Sequence, residues 1–202
     1  ILGIIVPSDI RDLFSNSLFI KKIKGMSLCA QSRNYYITYV FSEDEDAEQK
    51  YINDLIDSNL IDGVCLLRVR SNDINIKYLK EIGFPFVVIG RPEELENTLW
   101  VDNDNFQATY NLTDELIRKN HKNIAFLGAK ESLSVTLDRI RGFKAACDLY
   151  EIPLQNKSII IVKDFNEEEG IQGTIKLLEN NNPTAIIVED DVLAFGTLKV
   201  FK

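Results

Sequence analysis

The chain is poor in the residues on which most enzyme chemistry is built. Its 202 residues contain one histidine, His121, and three cysteines, Cys29, Cys65 and Cys147, set far apart. With a single imidazole, the H-E-x-x-H helix of a zinc protease cannot form, and no C-x-x-C pair is present. A P-loop and a G-x-S-x-G elbow are also missing, and no G-x-G-x-x-G follows the first apolar run, so nucleotide phosphates and a dinucleotide have no cradle. Positive charge is scarce: 23 Lys and Arg against 31 Asp and Glu leave a net charge of −8. Such a surface repels phosphate backbones, so nucleic acid is not expected to bind this chain through a broad patch. No stretch approaches the ~20 consecutive apolar residues of a membrane helix, and no secretory leader is legible from Ile1. The cysteines fall inside helix and strand patterns, which predicts reduced core thiols and a cytoplasmic protein, with no disulfide or metal framework.

What is present is hydrophobic periodicity. Forty-five per cent of the residues are hydrophobic, enough to exclude a disordered regulator. Apolar runs that suit parallel strands covered on both faces occur at residues 1–6, 36–41, 64–67, 86–90, 124–128, 158–162 and 185–188, with a shorter one at Trp100-Val101. Between them lie helical stripes: Phe19, Ile23, Met26 and Ala30; Ile52, Leu55 and Ile56; Ile74, Tyr78, Leu79 and Ile82; Phe106, Tyr110, Thr113 and Ile117; Leu137, Ile140, Phe143 and Cys147; Ile171, Ile175 and Leu178; and Asp191, Ala194, Leu198 and Phe201. Asp102 to Asn105 supply capping side chains for the fourth helix, and Asn120 supplies the left-handed stop. Alternation of this kind predicts an α/β fold with parallel sheets flanked by helices and right-handed crossovers. The stretch from Phe84 to Gly128 reads as the crossing from one α/β lobe to another, with ligand expected in the cleft between them.

Ligands in open parallel sheets sit beyond the carboxyl ends of the strands. Those ends carry Pro7-Ser8-Asp9, Ser42-Glu43, Arg68, Gly90-Arg91, Ala129-Lys130, Asp164-Phe165 and Glu189-Asp190-Asp191. Both charge signs, hydroxyls and an aromatic ring suit a polar, neutral, ring-shaped ligand better than a phosphate. The acidic run at 42–46 reads as a capped first helical turn rather than a calcium loop, which would need a glycine turn and a distal glutamate in register. His121, between a helix end and a strand, is expected to make a structural hydrogen bond. At Asp190-Asp191 one carboxylate is expected to face the ligand and the other, Asp191, to cap the helix. No constellation here is catalytic, and neither cofactor nor metal is expected.

Several segments then resemble one family in order and spacing. Asn16-x-x-Phe19 with Gly25-Met26 is similar to N-P-x-F…G-I/M, and Ile61-Asp62-Gly63-Val64 to I-D-G-I. Residues 84–92, FPFVVIGRP, with Val101-Asp102-Asn103, are similar to P-V-V-x-I-x-R…V-x-x-D-N. Residues 120–128 resemble G-H-x-x-I-A-x-I-x-G, with Asn120 for the usual glycine. Arg139-Ile140-Arg141-Gly142-Phe143 matches R-x-x-G-F/Y, and Pro183 to Gly196 match P-x-A-I-x-x-x-x-D-x-x-A-x-G. The chain thus resembles the effector-binding domain of LacI/GalR-family transcriptional regulators, and within them the maltose operon repressors of Gram-positive bacteria.

The resemblance implies a two-lobed periplasmic-binding-protein-like fold: a first lobe over 1–102 and a second over 103–202, the latter continued by further C-terminal strands not among these residues. It implies a homodimer whose sugar effector, maltose or a maltodextrin, closes the lobes and alters operator affinity through an N-terminal DNA-binding headpiece that is also not among them. The ligand-binding residues so implied are Ser8, Asp9, Phe19, Arg68, Gly90, Arg91, Arg139, Phe165 and Asp190. Arg139 would fork two hydroxyls or a carboxylate. Phe165 would face a sugar ring, and Asp190, in place of the usual asparagine, would accept from hydroxyls. A second reading with the same fold is the solute-binding protein of a sugar ABC transporter.

Overall fold

The computed structural model describes residues 1–6, 17–42, 44–154 and 157–202. The chain forms two compact units, Ile1–Asp102 and Asn103–Lys202. In the first, the strands β1 (Leu2–Val6), β2 (Ile37–Phe41), β3 (Gly63–Leu66), β4 (Phe86–Ile89) and β5 (Leu99–Val101) make one parallel sheet in the order β2-β1-β3-β4-β5. Helices α1 (Ser17–Gln31), α2 (Glu45–Asp57) and α3 (Ile74–Glu81) connect them. Side chains alternate across a strand, so neighbours in β1 enter different cores. Ile5 joins Ile52, Val64, Leu66, Leu79 and Val88, whereas Ile4 and Val6 join Cys65, Leu67 and the α1 residues Phe19, Ile23 and Met26.

The second unit repeats the plan with β6 (Ile124–Ala129), β7 (Ile159–Val162) and β8 (Ala185–Val188), ordered β7-β6-β8 and all parallel. Every residue of the central β6 is buried, as a strand covered on both faces requires. Phe126, Phe143, Cys147 and Ile187 fill one side, with α4 (Asn105–Arg118) and α5 (Ser134–Leu149). Leu127, Ala129, Leu177 and Leu193 fill the other, with α6 (Glu167–Asn181) and α7 (Asp191–Val200).

Short polar residues set the helix ends. Asp44, Asp73, Asp104, Asn166 and Asp190 each accept backbone N–H groups at a helix start. After α1, α2 and α4 the chain turns through Asn34, Asn59 and Asn120 in left-handed conformation. The next N–H then donates back across the turn, from Tyr35 to Ala30, Leu60 to Leu55 and His121 to Leu116, the Schellman closure.

Three expectations need correction. On α6 the buried face is Gly170, Gly173, Thr174 and Leu177, not Ile171, Ile175 and Leu178, which are half-buried. On α7 it is Leu193, Gly196 and Thr197, while Leu198 and Phe201 are exposed. The reason is close approach of the two helices: a Cβ on Gly196 would lie 2.1 Å from the Glu167 carbonyl oxygen, and one on Gly170 2.3 Å from that of Leu193. Finally, Cys29 is exposed on α1 rather than in a core; Cys65 and Cys147 are buried, and all three are free thiols. Among the described residues no helix is long and apolar enough to cross a membrane.

Candidate ligand-binding site

The carboxyl ends of β6 and β8 carry a polar cluster built around Arg139. This residue sits on the second turn of α5, and its guanidinium is held from two sides. Nε donates to Asn105 Oδ1 of α4 at 3.2 Å, and Nη1 donates to the Glu189 carbonyl at 2.8 Å. Nη2 has no hydrogen-bond partner among the described residues, and the side chain keeps 29% of its surface exposed. A fork fixed at Nε and Nη1 with donors left over is prepared for oxygen atoms of a ligand.

Behind Arg139 lies Glu189, whose side chain is fully buried. Its Oε1 is 2.7 Å from Thr136 Oγ1, and its Oε2 accepts from the Ala129 N–H at 3.1 Å. Gly128 makes the room, since a Cβ there would lie 2.5 Å from Glu189 Oε2. Burial raises the pKa of Glu189, against the pull of Thr136, the Ala129 amide and Arg139, with Asp190 adding to the rise.

Asp190 is raised in the same direction, chiefly by burial. It, and not Asp191, is the cap of α7: Oδ1 accepts from Val192 N at 2.8 Å and from Leu193 N at 3.4 Å. The expected division of roles is therefore reversed at Asp191, which is the first helical residue and exposed. An extended residue just before the helix can turn its side chain onto the N–H groups of the first turn; a residue already in it cannot. Phe165, beyond β7, is half-buried and packs against the Leu127–Leu177–Leu193 core. Lys130, at the end of β6, pairs with Asp164 at 2.8 Å.

In the first unit the strand ends are organised by Glu48. Arg70 meets its carboxylate through two hydrogen bonds of 2.8 Å, with Asn75 Nδ2 at 3.3 Å and Ser42 Oγ at 3.4 Å. This ties the end of β2 to the segment after β3 that carries the half-buried Arg68. Gly90, ending β4, has φ of 123° with Val69 packed against it, a place where a side chain would be strained. Arg91 is exposed, and its backbone N–H donates to Asp102 Oδ2 at 3.1 Å. Phe19 lies in the α1 core, with the Lys22 ammonium 5.1 Å from its ring centre; burial lowers the pKa of Lys22, against the pull of Asp102. Ser8 and Asp9 lie outside the described residues. Among the described residues no group of three or more His, Cys, Asp or Glu could hold a metal ion.

Of the sequence-predicted residues, the structure brings Arg139 and Asp190 to one strand-end cluster, and places Arg68, Gly90 and Arg91 at strand ends of the first unit. Phe19 and Phe165 are core-packing rings. Sequence reasoning named Glu189 only as part of a strand end, read Asn105 only as a helix-capping residue, and passed over Thr136. The available signal was Gly128, a glycine inside a buried strand, which marks close approach of another group.

The family model for periplasmic binding proteins and the sugar binding domain of the LacI family matches residues 1–202. The chain is 31% identical over 197 residues to the HTH-type transcriptional regulator MalR of Streptococcus pneumoniae, covering 97% of this chain and 60% of that protein. It is 28% identical over 200 residues to catabolite control protein A of Priestia megaterium, covering 98% and 58%. It thus spans about 60% of the length of these curated relatives. A solved chain from Bacillus cereus subsp. cytotoxis NVH 391-98, assigned to the LacI transcriptional regulators, superposes with a TM-score of 0.92 at 35% identity, over 99% of this chain and 71% of that one.

Proposed function

Because this chain belongs to the family of periplasmic binding proteins and LacI-family sugar-binding domains, we propose that it is the effector-sensing part of a sugar-responsive transcriptional repressor, with maltose or a maltodextrin as effector. The observation that carries this reading is the Arg139 fork. It is anchored by Asn105 and the Glu189 carbonyl, and it is open toward solvent at a strand carboxyl end. Arg139 donates to sugar hydroxyls and Asp190 accepts from them. In the first unit, Arg68, Gly90 and Arg91, with Ser8 and Asp9, are the residues proposed to contact effector, and binding biases a two-state equilibrium that a dimeric, full-length regulator reads out as operator affinity. The similarity to HTH-type transcriptional regulators favours this over a transport role.

Calorimetric titration of the full-length regulator with maltose, other disaccharides and purines tests the reading. Binding to one sugar is expected. Purine binding, with no response to any sugar, would overturn it. Arg139→Ala is expected to weaken sugar binding about tenfold or more, about 1.4 kcal/mol at the least; unchanged affinity would remove Arg139 from the site.

A further inference from the structure

Thr136 has one hydrogen to give and two oxygen neighbours placed to take it. Its Oγ1 lies 2.8 Å from the Ala129 carbonyl and 2.7 Å from Glu189 Oε1. A hydroxyl owns a single proton. Were both neighbours acceptors only, one of these two short contacts would hold no hydrogen. Water cannot supply it, because at 2.8 and 2.7 Å each oxygen pair is in direct contact, with no room for a molecule between. The count closes if the carboxyl provides the second hydrogen. Glu189 Oε1–H then donates to Thr136 Oγ1, the Thr136 proton goes to the Ala129 carbonyl, and Glu189 Oε2 accepts from Ala129 N.

Arg139 points the same way. An ionised carboxylate beside a guanidinium draws it into a short, often bidentate pair, as Glu48 does with Arg70 through two bonds of 2.8 Å. Arg139 Nη1 instead takes the backbone carbonyl of Glu189 at 2.8 Å and stays 3.6 Å from Oε1. In one chain, two buried glutamates meet arginines in two different ways.

We propose that Glu189 carries a proton in the ligand-free protein and is the positioning residue for Arg139, keeping its guanidinium off the carboxylate and available to the effector, so that effector affinity falls when the proton is lost. The link to affinity rests on the sugar-binding reading above; the protonation state does not. On ionisation the proton passes to solvent, the Glu189 carboxylate takes the guanidinium as an ion pair, and the donors meant for the ligand are consumed. Arg139 and Asp190 act on Glu189 directly; the elements that meet there also carry Asp138 on α5, Asp191 at the head of α7, Lys130 at the end of β6, which is held by Asp164, and the exposed cap Asp104 beside Asn105 of α4. Burial, the largest influence, and Asp190 both favour the neutral acid.

Infrared difference spectra of the ligand-free chain, wild type minus Glu189→Gln, test the protonation. A protonated-carboxyl band at neutral pH, absent from the variant and fading from the wild type as pH rises, is expected; a wild type without that band overturns the proposal. If Glu189→Gln fails to fold, Asp190→Asn, which removes the other raised carboxyl, is expected to keep the band, and its loss there overturns the proposal. Maltose titrations across the same range test the positioning. The wild type is expected to bind about tenfold more weakly once Glu189 is ionised, and Glu189→Gln to show no such decline. The same decline in both proteins removes the positioning role. Absence of maltose binding at every pH counts against the sugar reading and leaves the infrared result to decide Glu189.

Discussion

At the residue scale, one side-chain type occupies quite different surroundings in this chain, and the thiols make this measurable. Burial pushes Cys65 and Cys147 up to about 11, so neither is a thiolate at neutral pH, whereas Cys29 is exposed on α1 with Arg33 Nη1 2.7 Å from its sulfur. A colorimetric disulfide reagent is expected to titrate one thiol rapidly in the folded protein and the other two only on unfolding; rapid reaction of all three would contradict the two buried placements. Periodicity could see that Cys65 and Cys147 are interior, because each sits in phase with apolar neighbours. It misjudged Cys29 because a helix stripe of period 3.6 has margins: Cys29 adjoins Ala30, which is buried, yet points off the packed face. The same limit hid Glu189. Three consecutive acids at a strand end look solvated, and only the reach of β8 across Gly128 buries the first of them. Arg139 was legible because it stands in a motif; the groups that aim it were not, since Asn105, Thr136 and Glu189 come together from three distant points of the chain.

At the element scale, glycine decides how closely the helices meet. A Cβ on Gly142 of α5 would lie 2.2 Å from the Phe106 carbonyl oxygen of α4, and Gly196 makes the corresponding close contact between α7 and α6. Gly142→Ala and Gly196→Ala are expected to lower stability by about 1–3 kcal/mol through overpacking. Gly25, on the exposed side of α1, has nothing within 4 Å of its would-be Cβ, and Gly25→Ala is expected to raise stability by about 0.5–1 kcal/mol. Urea unfolding midpoints of the three variants check the opposite signs. Strand existence and order along the chain were legible from apolar runs, because parallel strands buried on both faces leave little room for polar residues. The packed faces of α6 and α7 were not. There glycine and threonine, which hydropathy does not mark as interior, sit at the contact, while Leu198 and Phe201 face outward.

At the scale of the whole molecule, four core clusters divide two and two between two continuous stretches of chain. Arg70→Met would strand the buried Glu48 carboxylate without its partner, at about 3–5 kcal/mol. Hydrogen exchange is expected to show lost protection within residues 1–102 and unchanged protection in β6; equal loss in both would mean that the chain unfolds as one cooperative body. The pH response belongs to the second unit. The folded pKa of Glu189 lies above its unfolded value, so the folded state binds the extra proton. Its contribution is fully present below the unfolded value and is lost as pH rises through the folded one. The unfolding midpoint of wild type should drop over that window, and that of Glu189→Gln should drop less, the remainder belonging to Asp190, whose carboxyl is also raised. The asparagine turns that close α1, α2 and α4 bear on how the protein ages. Deamidation through a succinimide requires the backbone nitrogen after the asparagine to attack its side-chain amide. After Asn34, Asn59 and Asn120 that nitrogen is already engaged with a carbonyl of the preceding helix, at 2.9, 3.2 and 3.1 Å. Isoaspartate at these three positions would therefore act as a clock that runs only while the turns are open, recording how long a molecule has spent out of its native state.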